Sequence, residues 1–343
     1  MSEAGAGRVA GLPASVAIVR VLVAPDSFKG THSATAVADA LARGFEHAGW
    51  DADRCPVADG GEGTMQLLAD ALGARLVAAG ATDPLGRPVD CHFAICGDTA
   101  IVETAQASGL ALVGDDERDA WAASTRGTGE LILAAVAAGA REILVAVGGS
   151  ATTDGGRGAI EAIRDGGGLG GARLAILCDV QCAFEDAPRV FGPQKGADPE
   201  TVARLEQRLA ALATSLPRDP RGVPATGAAG GLSGGLWAAF DASLRPGAAA
   251  VLDALRVDER LRGSQLAVAG EGCIDEQSFG GKVVGELVRR ARRAGVPIHA
   301  VVGTSRLSDD ERARAGLERV WTASTLEEVE AAGREIGAAV ASG

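Results

Sequence analysis

Short apolar runs alternate with amphipathic segments at the start of this chain. Residues 16–24 form an apolar run broken by one arginine, which is typical of a buried strand, and apolar side chains then recur at helical spacing from Ser33 to about residue 47. A second strand at 52–57 and a second helix at 65–72 follow. This order of strands and helices predicts a parallel, doubly wound α/β sheet of the Rossmann or flavodoxin-like kind.

The same pattern returns near the end of the chain, whereas the middle differs. The end predicts strands at 266–270 and 296–302 and helices at 282–293 and 325–340. The middle predicts strands at 89–95, 100–103 and 142–147, and helices at 129–138, 155–163 and 200–216. We therefore predict a second α/β domain inserted into the first, with the active site in the cleft between them. The predicted bounds are 16–85 with 262–343 for the first domain, 86–261 for the inserted domain, and 1–15 for a flexible tail.

Composition narrows the class of protein. The 343 residues suggest about two domains, and 47% hydrophobic content is ample for their cores. A net charge of −12 argues against nucleic acid or an anionic membrane as a partner. The six cysteines form no C-x-x-C pair, and no apolar run reaches the ~18 residues of a membrane span. We expect free thiols and a cytoplasmic protein that acts on a small molecule.

Lysine is rare, and its positions suggest phosphate chemistry. The only three lysines are Lys29, Lys195 and Lys282, and each lies in a loop beside glycine, whereas the other 30 of the 33 basic residues are arginine. An ammonium group is a compact charge that neutralises phosphate oxygens, and arginine does not replace it equivalently. Phosphoryl transfer is therefore the favoured hypothesis. The alternative is that three lysines escaped a general drift toward arginine.

Two polar loops follow the first two predicted strands. The first loop supplies Asp26, Ser27 and Lys29 just before a helix. The second loop consists of Asp59, Gly60, Gly61, Glu62, Gly63 and Thr64. Because ligands of open α/β sheets bind at the carboxyl ends of strands, these residues are predicted to bind substrate or phosphate. The alternative for each loop is a helix cap with a tight turn.

A third loop and a fourth also follow strands. The third contains Gly148, Gly149, Ser150, Thr152 and Asp154 before a helix, so its amides and hydroxyls could cradle phosphates. The fourth contains Glu271 and Asp275, with Lys282 farther along the same strand-to-helix turn. Asp179 follows the apolar run 174–178, and Glu103 ends the strand at 100–103, where it is either a substrate contact or a turn residue.

Several known nucleotide motifs are absent from the sequence. There is no G-x-x-x-x-G-K-[ST], which excludes a Walker-type NTPase, and no protein-kinase H-R-D with D-F-G. No G-x-G-x-x-G follows the first strand, which disfavours a nicotinamide dehydrogenase.

Taken together, the loops resemble the type-1 glycerate kinase family of bacterial glycerate 2-kinases. The resemblance covers nearly the whole chain from residue 20, and its most specific segments are APDSFKG (24–30), VADGGEGT (57–64), VGGSATTDGG (147–156), FGPQKGA (191–197) and GEGCIDEQSFGGK (270–282). It implies two α/β domains and the use of ATP and Mg²⁺ to phosphorylate D-glycerate at its 2-hydroxyl. The chain departs from the family pattern at Thr153, at residues 181–184, and in a shorter segment before Cys178.

The resemblance, with the chemistry of phosphoryl transfer, suggests roles for these residues. Lys29, Lys195 and Lys282 would contact phosphate and the glycerate carboxylate, and residues 148–154 would hold the ATP phosphates. The candidate ligands of Mg²⁺ are Asp154, Asp179 and Asp275. The candidate general base is Asp179 or Asp275, followed by Asp26.

Three alternatives remain open. The same fold could phosphorylate the 3-hydroxyl to give 3-phosphoglycerate, or it could bind its ligand without turnover. A nicotinamide dehydrogenase is the third. Whether the protein forms a homodimer is a further open prediction.

Overall fold

The computed structural model describes residues 19–28, 30–61 and 63–341, and their strands form two sheets. The strands are β1 (Arg20–Pro25), β2 (Asp51–Arg54), β3 (Arg75–Thr82), β4 (Pro88–Cys96), β5 (Thr99–Glu103), β6 (Glu142–Ala146), β7 (Arg173–Leu177), β8 (Ser243–Arg245), β9 (Leu266–Ile274), β10 (Ile298–Ser305) and β11 (Arg319–Thr322). The helices are α1 (Ala34–His47), α2 (Thr64–Leu72), α3 (Ala105–Ser108), α4 (Arg126–Ala137), α5 (Arg157–Asp165), α6 (Ala187–Phe191), α7 (Pro199–Ser215), α8 (Leu232–Phe240), α9 (Gly247–Ala254), α10 (Val257–Arg262), α11 (Val283–Ala294), α12 (Asp309–Ala315) and α13 (Leu326–Ala341). The predicted tail at 1–15 lies outside the described residues.

The first sheet has five parallel strands in the order β11-β10-β9-β1-β2. Helices α1 and α13 cover one face, where Val21 and Val23 of β1 are buried. Helices α9 and α11 cover the other face, where Leu22 and Ala24 are buried. Apolar side chains on both faces of a strand require cover on both sides, which is why residues 19–25 form an unbroken apolar run apart from Arg20. The predicted doubly wound α/β fold is confirmed.

The second sheet has six strands in the order β3-β4-β5-β6-β7-β8. The pairs β3-β4 and β4-β5 are antiparallel, and the other pairs are parallel. Strand β3 escaped the sequence analysis because its alanines and glycine have weak strand propensity, and its pairing with β4 decides its conformation. This strand joins the second sheet although it lies ahead of the predicted boundary at residue 85. The division into two domains itself stays a prediction.

The two sheets share one of their cores. Leu22 of β1 belongs to the same buried cluster as Ile101 of β5 and Leu177 of β7, with α2 and α9 between the sheets. This packing holds the carboxyl ends of parallel strands from both sheets close together. No helix among the described residues has the length and apolar character to cross a membrane.

Strand β9 continues farther than its sequence indicates. The apolar run ends at Gly270, but backbone pairing with the long β10 extends the strand to Ile274, with Glu271 opposite Val302 and Cys273 opposite Thr304. Glu271 therefore projects from a strand, and the predicted loop begins only after Ile274. The pairing partner decides this boundary, and no local pattern encodes it.

Candidate active site

Loops from both sheets meet at the carboxyl ends of their parallel strands. A Cβ added to Gly61 would lie 3.8 Å from the Cα of Gly148, and one added to Gly60 would lie 3.3 Å from the carbonyl oxygen of Leu177. Gly60 also has a φ of +85°, which glycine adopts without strain. These glycines therefore let the turn after β2 approach the loops after β6 and β7.

A cavity of about 430 Å³ opens at this edge of the five-stranded sheet. Its size falls within the roughly 300–1,000 Å³ of small-molecule sites. Five residues that the sequence analysis selected line this cavity: Asp26, Ser27, Asp59, Glu271 and Lys282. The structure thus brings together side chains from three of the four predicted loops. Lys29 and Glu62 lie outside the described residues.

Asp26 and Glu271 place two carboxylates on the wall of the cavity. Asp26 is buried, and its Oδ1 accepts a hydrogen bond from the Ser27 amide at 2.6 Å. Glu271 Oε1 is buried and has no hydrogen-bond partner among the described residues. The pKa of Glu271 is raised to about 7, mainly by burial. A hydrogen bond with Ser278 and the charge of Lys282 oppose this rise, and the negative charges of Asp26 and Asp275 support it.

Asp179 follows β7 and lies beside Asp59. Its Oδ2 accepts a hydrogen bond from the amide of Ala248, in the first turn of α9, at 2.8 Å. Its Oδ1 is buried without a partner among the described residues. The pKa of Asp179 is raised to about 7, mainly by burial. The hydrogen bond from the Ala248 amide opposes this rise, and the negative charges of Asp59 and Glu286 support it. A carboxylate with this pKa and an unpartnered oxygen can accept a proton near neutral pH. Asp179 does not itself line the cavity, whereas Asp59 beside it does.

Asp275 has a different environment, although it lies near the same loops. Its Oδ1 accepts hydrogen bonds from the amides of Gln277 at 2.9 Å and Ser278 at 3.2 Å, and so caps the short 3₁₀ turn Glu276–Phe279. This turn leads directly to Lys282, which is exposed and precedes the first residue of α11. Asp275 therefore shapes the turn that delivers Lys282 to the cavity.

The predicted ATP loop is mostly buried. Asp154 is 1% exposed, and its carboxylate accepts hydrogen bonds from Thr125 and from the amides of Gly156 at 2.9 Å and Gly158 at 3.0 Å. The amides at the start of α5, which we expected to cradle phosphate, thus already donate to Asp154. This geometry favours a structural role for Asp154 and does not support the predicted binding of Mg²⁺.

Lys195 is hydrogen-bonded to the same loop from within the protein interior. It is buried, and its Nζ donates hydrogen bonds to Ser150 Oγ at 3.0 Å and to the carbonyl oxygen of Thr152 at 2.6 Å. Burial lowers the pKa of this ammonium to about 7, although the charge of Asp154 opposes the shift. Lys195 does not line the cavity, and Ser150 and Thr152 are buried with it. Within the predicted ATP loop, Gly148 is half-buried and Gly149 is exposed.

Glu103 has a role that the sequence analysis missed. It is buried at the end of β5, and its two carboxylate oxygens accept hydrogen bonds from the amides of Gly63 at 2.8 Å and Met65 at 3.2 Å. Gly63 has no side chain to cap α2, so Glu103 caps this helix from the other sheet. Thr64, a predicted ligand residue, is fully buried in the same turn. Glu103 therefore fixes the loop that carries Asp59.

Other residues of the cavity wall were also missed. The main ones are Phe28, Thr31, Gly303, Thr304 and Ser324. Gly303 and Thr304 belong to the last part of β10, and Ser324 follows β11. The rule that ligands bind at the carboxyl ends of parallel strands would have pointed to Gly303 and Thr304, because the strand at 296–302 was predicted.

The described residues contain no group of three or more His, Cys, Asp or Glu side chains that could hold a metal ion on their own. Mg²⁺ binds through one or two carboxylates when phosphate oxygens complete its shell. Asp26 and Glu271 face one cavity and Glu271 has a vacant oxygen, so the site fits such an ion only together with a phosphate ligand.

The fold and the site define a two-sheet α/β protein with a small-molecule cavity at the ends of its parallel strands. A sequence model of the glycerate kinase family matches residues 21–165 and 167–340, so the chain belongs to this family. The resemblance inferred from the sequence motifs is thereby confirmed.

Individual relatives agree with this family assignment. The chain is 36% identical to the glycerate kinase of Bacillus subtilis, over 89% of this chain and 90% of the relative. It is 37% identical to the glycerate 2-kinase of Escherichia coli, over 85% of this chain and 86% of the relative. The crystal structure of a proposed glycerate kinase 2 from Salmonella typhimurium LT2 matches with a TM-score of 0.81 and 33% identity, over 95% of this chain and 99% of that one.

Proposed function

We propose that this protein transfers the γ-phosphoryl group of ATP to the 2-hydroxyl of D-glycerate, giving 2-phospho-D-glycerate and ADP. Membership of the glycerate kinase family supports the substrate and favours a kinase over a nicotinamide dehydrogenase. The name of the Escherichia coli relative supports the 2-hydroxyl as acceptor. Free cysteines in the described residues support a cytoplasmic enzyme.

The environment of Asp179 is the observation that carries this proposal. Phosphoryl transfer to an alcohol requires a group that takes the hydroxyl proton. Asp179 has a raised pKa and a buried oxygen without a partner, whereas Asp275 uses its oxygen to cap a turn. We therefore propose Asp179 as the general base, and we place the reacting hydroxyl of glycerate beside its Oδ1.

The opposite side of the reaction needs positive charge. We propose that Lys282 and the first amides of α11 neutralise the phosphate oxygens of ATP, because Lys282, Val283 and Val284 all line the cavity. The adjoining wall at Phe28, Thr304 and Ser324 supplies apolar and hydroxyl surface for the nucleoside. The predicted ATP loop would then contribute only the backbone of Gly148 and Gly149.

Asp26 and Glu271 are the residues that we propose to hold Mg²⁺ once nucleotide phosphates are present. The ion would supply neutralisation of phosphate charge. The two side chains would then stay ionised, although burial alone favours the protonated form of Glu271. Asp179 and Asp275 were also predicted as ligands of Mg²⁺. We propose instead that Asp179 accepts the proton and that Asp275 shapes the turn before Lys282.

The test is incubation of the purified protein with ATP, Mg²⁺ and D-glycerate, with the product identified by ³¹P NMR. We expect 2-phosphoglycerate, and we expect Asp179→Asn and Lys282→Met to abolish or strongly reduce it. Formation of 3-phosphoglycerate would overturn the proposed regiochemistry. Binding of ATP without turnover would show a ligand-binding relative, and full activity of Asp179→Asn would remove Asp179 from the mechanism.

A further inference from the structure

Arg290 is a buried cation on α11 that the mechanism above does not use. It is 6% exposed, and all three nitrogens of its guanidinium group have partners. The Nε lies 2.8 Å from Glu286, on the same helix. The Nη1 lies 2.7 Å from Asp253, and the Nη2 donates to the carbonyl oxygen of Ala249 at 3.3 Å. Arg290 thus ties α11 to α9 at two points.

Helix α9 in turn holds Asp179. The amide of Ala248, next to Ala249 in the chain, donates the 2.8 Å hydrogen bond to Asp179 Oδ2. A Cβ added to Gly247 would lie 3.3 Å from the same oxygen, so the first turn of α9 approaches Asp179 as closely as glycine allows. A shift of this turn would move the carboxylate or break its hydrogen bond.

Arg290 therefore links the two sheets at the reacting group. Its own helix packs on the five-stranded sheet, whereas Asp179 follows β7 of the six-stranded sheet. We propose that Arg290 is a positioning residue for Asp179: it fixes the first turn of α9 against α11, and that turn fixes the Asp179 carboxylate. This inference rests on the proposed function, because it assigns Asp179 the role of base.

Charged side chains on several elements also influence the ionisation of Asp179. Asp59 faces it from the loop after β2, and Glu286 faces it from α11. Gly281, which precedes Lys282, approaches its backbone: a Cβ there would lie 3.9 Å from the Asp179 carbonyl oxygen. Arg290 and Arg289 both pair with Glu286 and so offset its charge. Loss of Arg290 would weaken this offset and loosen the Ala248 hydrogen bond, and both changes disfavour the ionised form of Asp179.

The experiment compares Arg290→Met with Arg289→Met in the full-length protein. Arg289 pairs with the same Glu286 but is 54% exposed in its side chain, so it is a matched control for the charge alone. We expect Arg290→Met to lower kcat about 10- to 100-fold, as misplacement of a reacting group does. We also expect the acid limb of its kcat/KM profile to move to higher pH. Arg289→Met loses the same charge beside Glu286 but keeps the contacts between α11 and α9, so its kcat should stay close to that of the unsubstituted protein and its acid limb should move less than that of Arg290→Met.

Two milder variants cover the case in which Arg290→Met does not fold. Arg290→Lys keeps the charge but cannot make the three-point contact, and Asp253→Asn removes one partner that is 69% exposed in its side chain. Both should move the acid limb in the same direction by less. If all three variants lower stability while their pH profiles match that of Arg289→Met, Arg290 only stabilises the fold and the inference is wrong.

A second readout separates this inference from the proposed function. The Asp179 carboxyl can be titrated by ¹³C NMR of aspartate-labelled protein, with Asp179→Asn to assign its signal. If the unsubstituted protein lacks glycerate kinase activity, the proposed function fails, yet an upward shift of this titration in Arg290→Met would still support the link. If the kinase is active and the titration does not move, the link alone is overturned.

Discussion

Asp154 and Asp179 both follow strands of the same six-stranded sheet, yet their surroundings differ. Asp154 lies in the glycine-rich loop after β6, and every hydrogen bond it accepts comes from Thr125 or from the start of α5. Asp179 follows β7 in a plain segment, and one of its oxygens has no partner in the described structure. We therefore interpret Asp154 as a structural residue, and we propose that Asp179 is the reactive carboxylate.

The difference between the two regions has a physical basis. A buried carboxylate is stable when several donors satisfy it, as at Asp154. A carboxylate that must accept a proton needs a vacant oxygen and a raised pKa, and both are costs to stability. The function that we propose for Asp179 would therefore oppose stability, whereas the hydrogen bonds of Asp154 contribute to stability.

The largest expected effect is the loss of activity in Asp179→Asn. We expect kcat to fall by about 10²- to 10⁴-fold, because a general base contributes this much, with little change in KM for ATP. Steady-state kinetics with D-glycerate measure this effect. A variant that keeps more than about a tenth of the rate would contradict the assignment of the base.

The same substitution should not harm the fold. The pKa of Asp179 is raised from 3.8 to about 7, so the charged form at pH 8 costs stability, and this cost disappears as the pH falls from about 7 toward 3.8. We expect Asp179→Asn to be as stable as the unsubstituted protein at pH 8 or more stable, by on the order of 2 kcal/mol. Urea unfolding at pH 8 and pH 5 measures the difference, which should shrink at the lower pH.

Asp154→Asn should show the opposite behaviour. The asparagine amide would place a donor against the donors of Thr125, Gly156 and Gly158, which Asp154 now satisfies. We expect a loss of about 3 kcal/mol in the free energy of unfolding, with activity falling only as the folded fraction falls. If folded Asp154→Asn instead shows normal stability and a specific loss of ATP binding, the predicted role in nucleotide binding would be restored.

The pH dependence of kcat/KM distinguishes the two carboxyl groups whose pKa is raised, Asp179 and Glu271. Asp179 must be ionised to accept a proton, so kcat/KM should rise with pH and level off above its pKa of about 7. Glu271 also has a pKa raised to about 7, so Glu271→Gln is the control. We expect this variant to keep the acid limb and to require more Mg²⁺. If the acid limb disappears in Glu271→Gln, Glu271 rather than Asp179 is the general base.

The smallest expected effect concerns Glu103, which caps α2 next to the loop that carries Asp59. Glu103→Gln keeps the shape of the side chain but loses its charge and one of its two acceptor oxygens at Gly63 and Met65. We expect a loss of about 1 kcal/mol in the free energy of unfolding, together with a modest rise in KM. Thermal unfolding and kinetics measure both, and a large selective loss of kcat would instead indicate contact between Glu103 and substrate.

Much of the architecture follows from local patterns. Apolar runs such as residues 16–24 and the capping serine at 33 were enough to predict the doubly wound sheet, because burial on both faces leaves a pattern in each strand. The strand-end rule selected Asp26, Asp59 and Glu271, which line the cavity. The rarity of lysine pointed to Lys282 for a chemical reason that needs no coordinates.

Other features depend on partners that are distant along the chain, and only the folded structure supplies them. Strand β3 exists because β4 pairs with it, and the cap of α2 comes from Glu103, which is 40 positions away from Gly63. Lys195 and Lys282 have similar glycine neighbours in sequence, yet one is buried beneath a loop and the other lies in the cavity. Burial and hydrogen bonding are properties of the assembled protein, so a motif can nominate a charged residue, whereas its surroundings in the fold decide whether it braces the structure or serves the reaction.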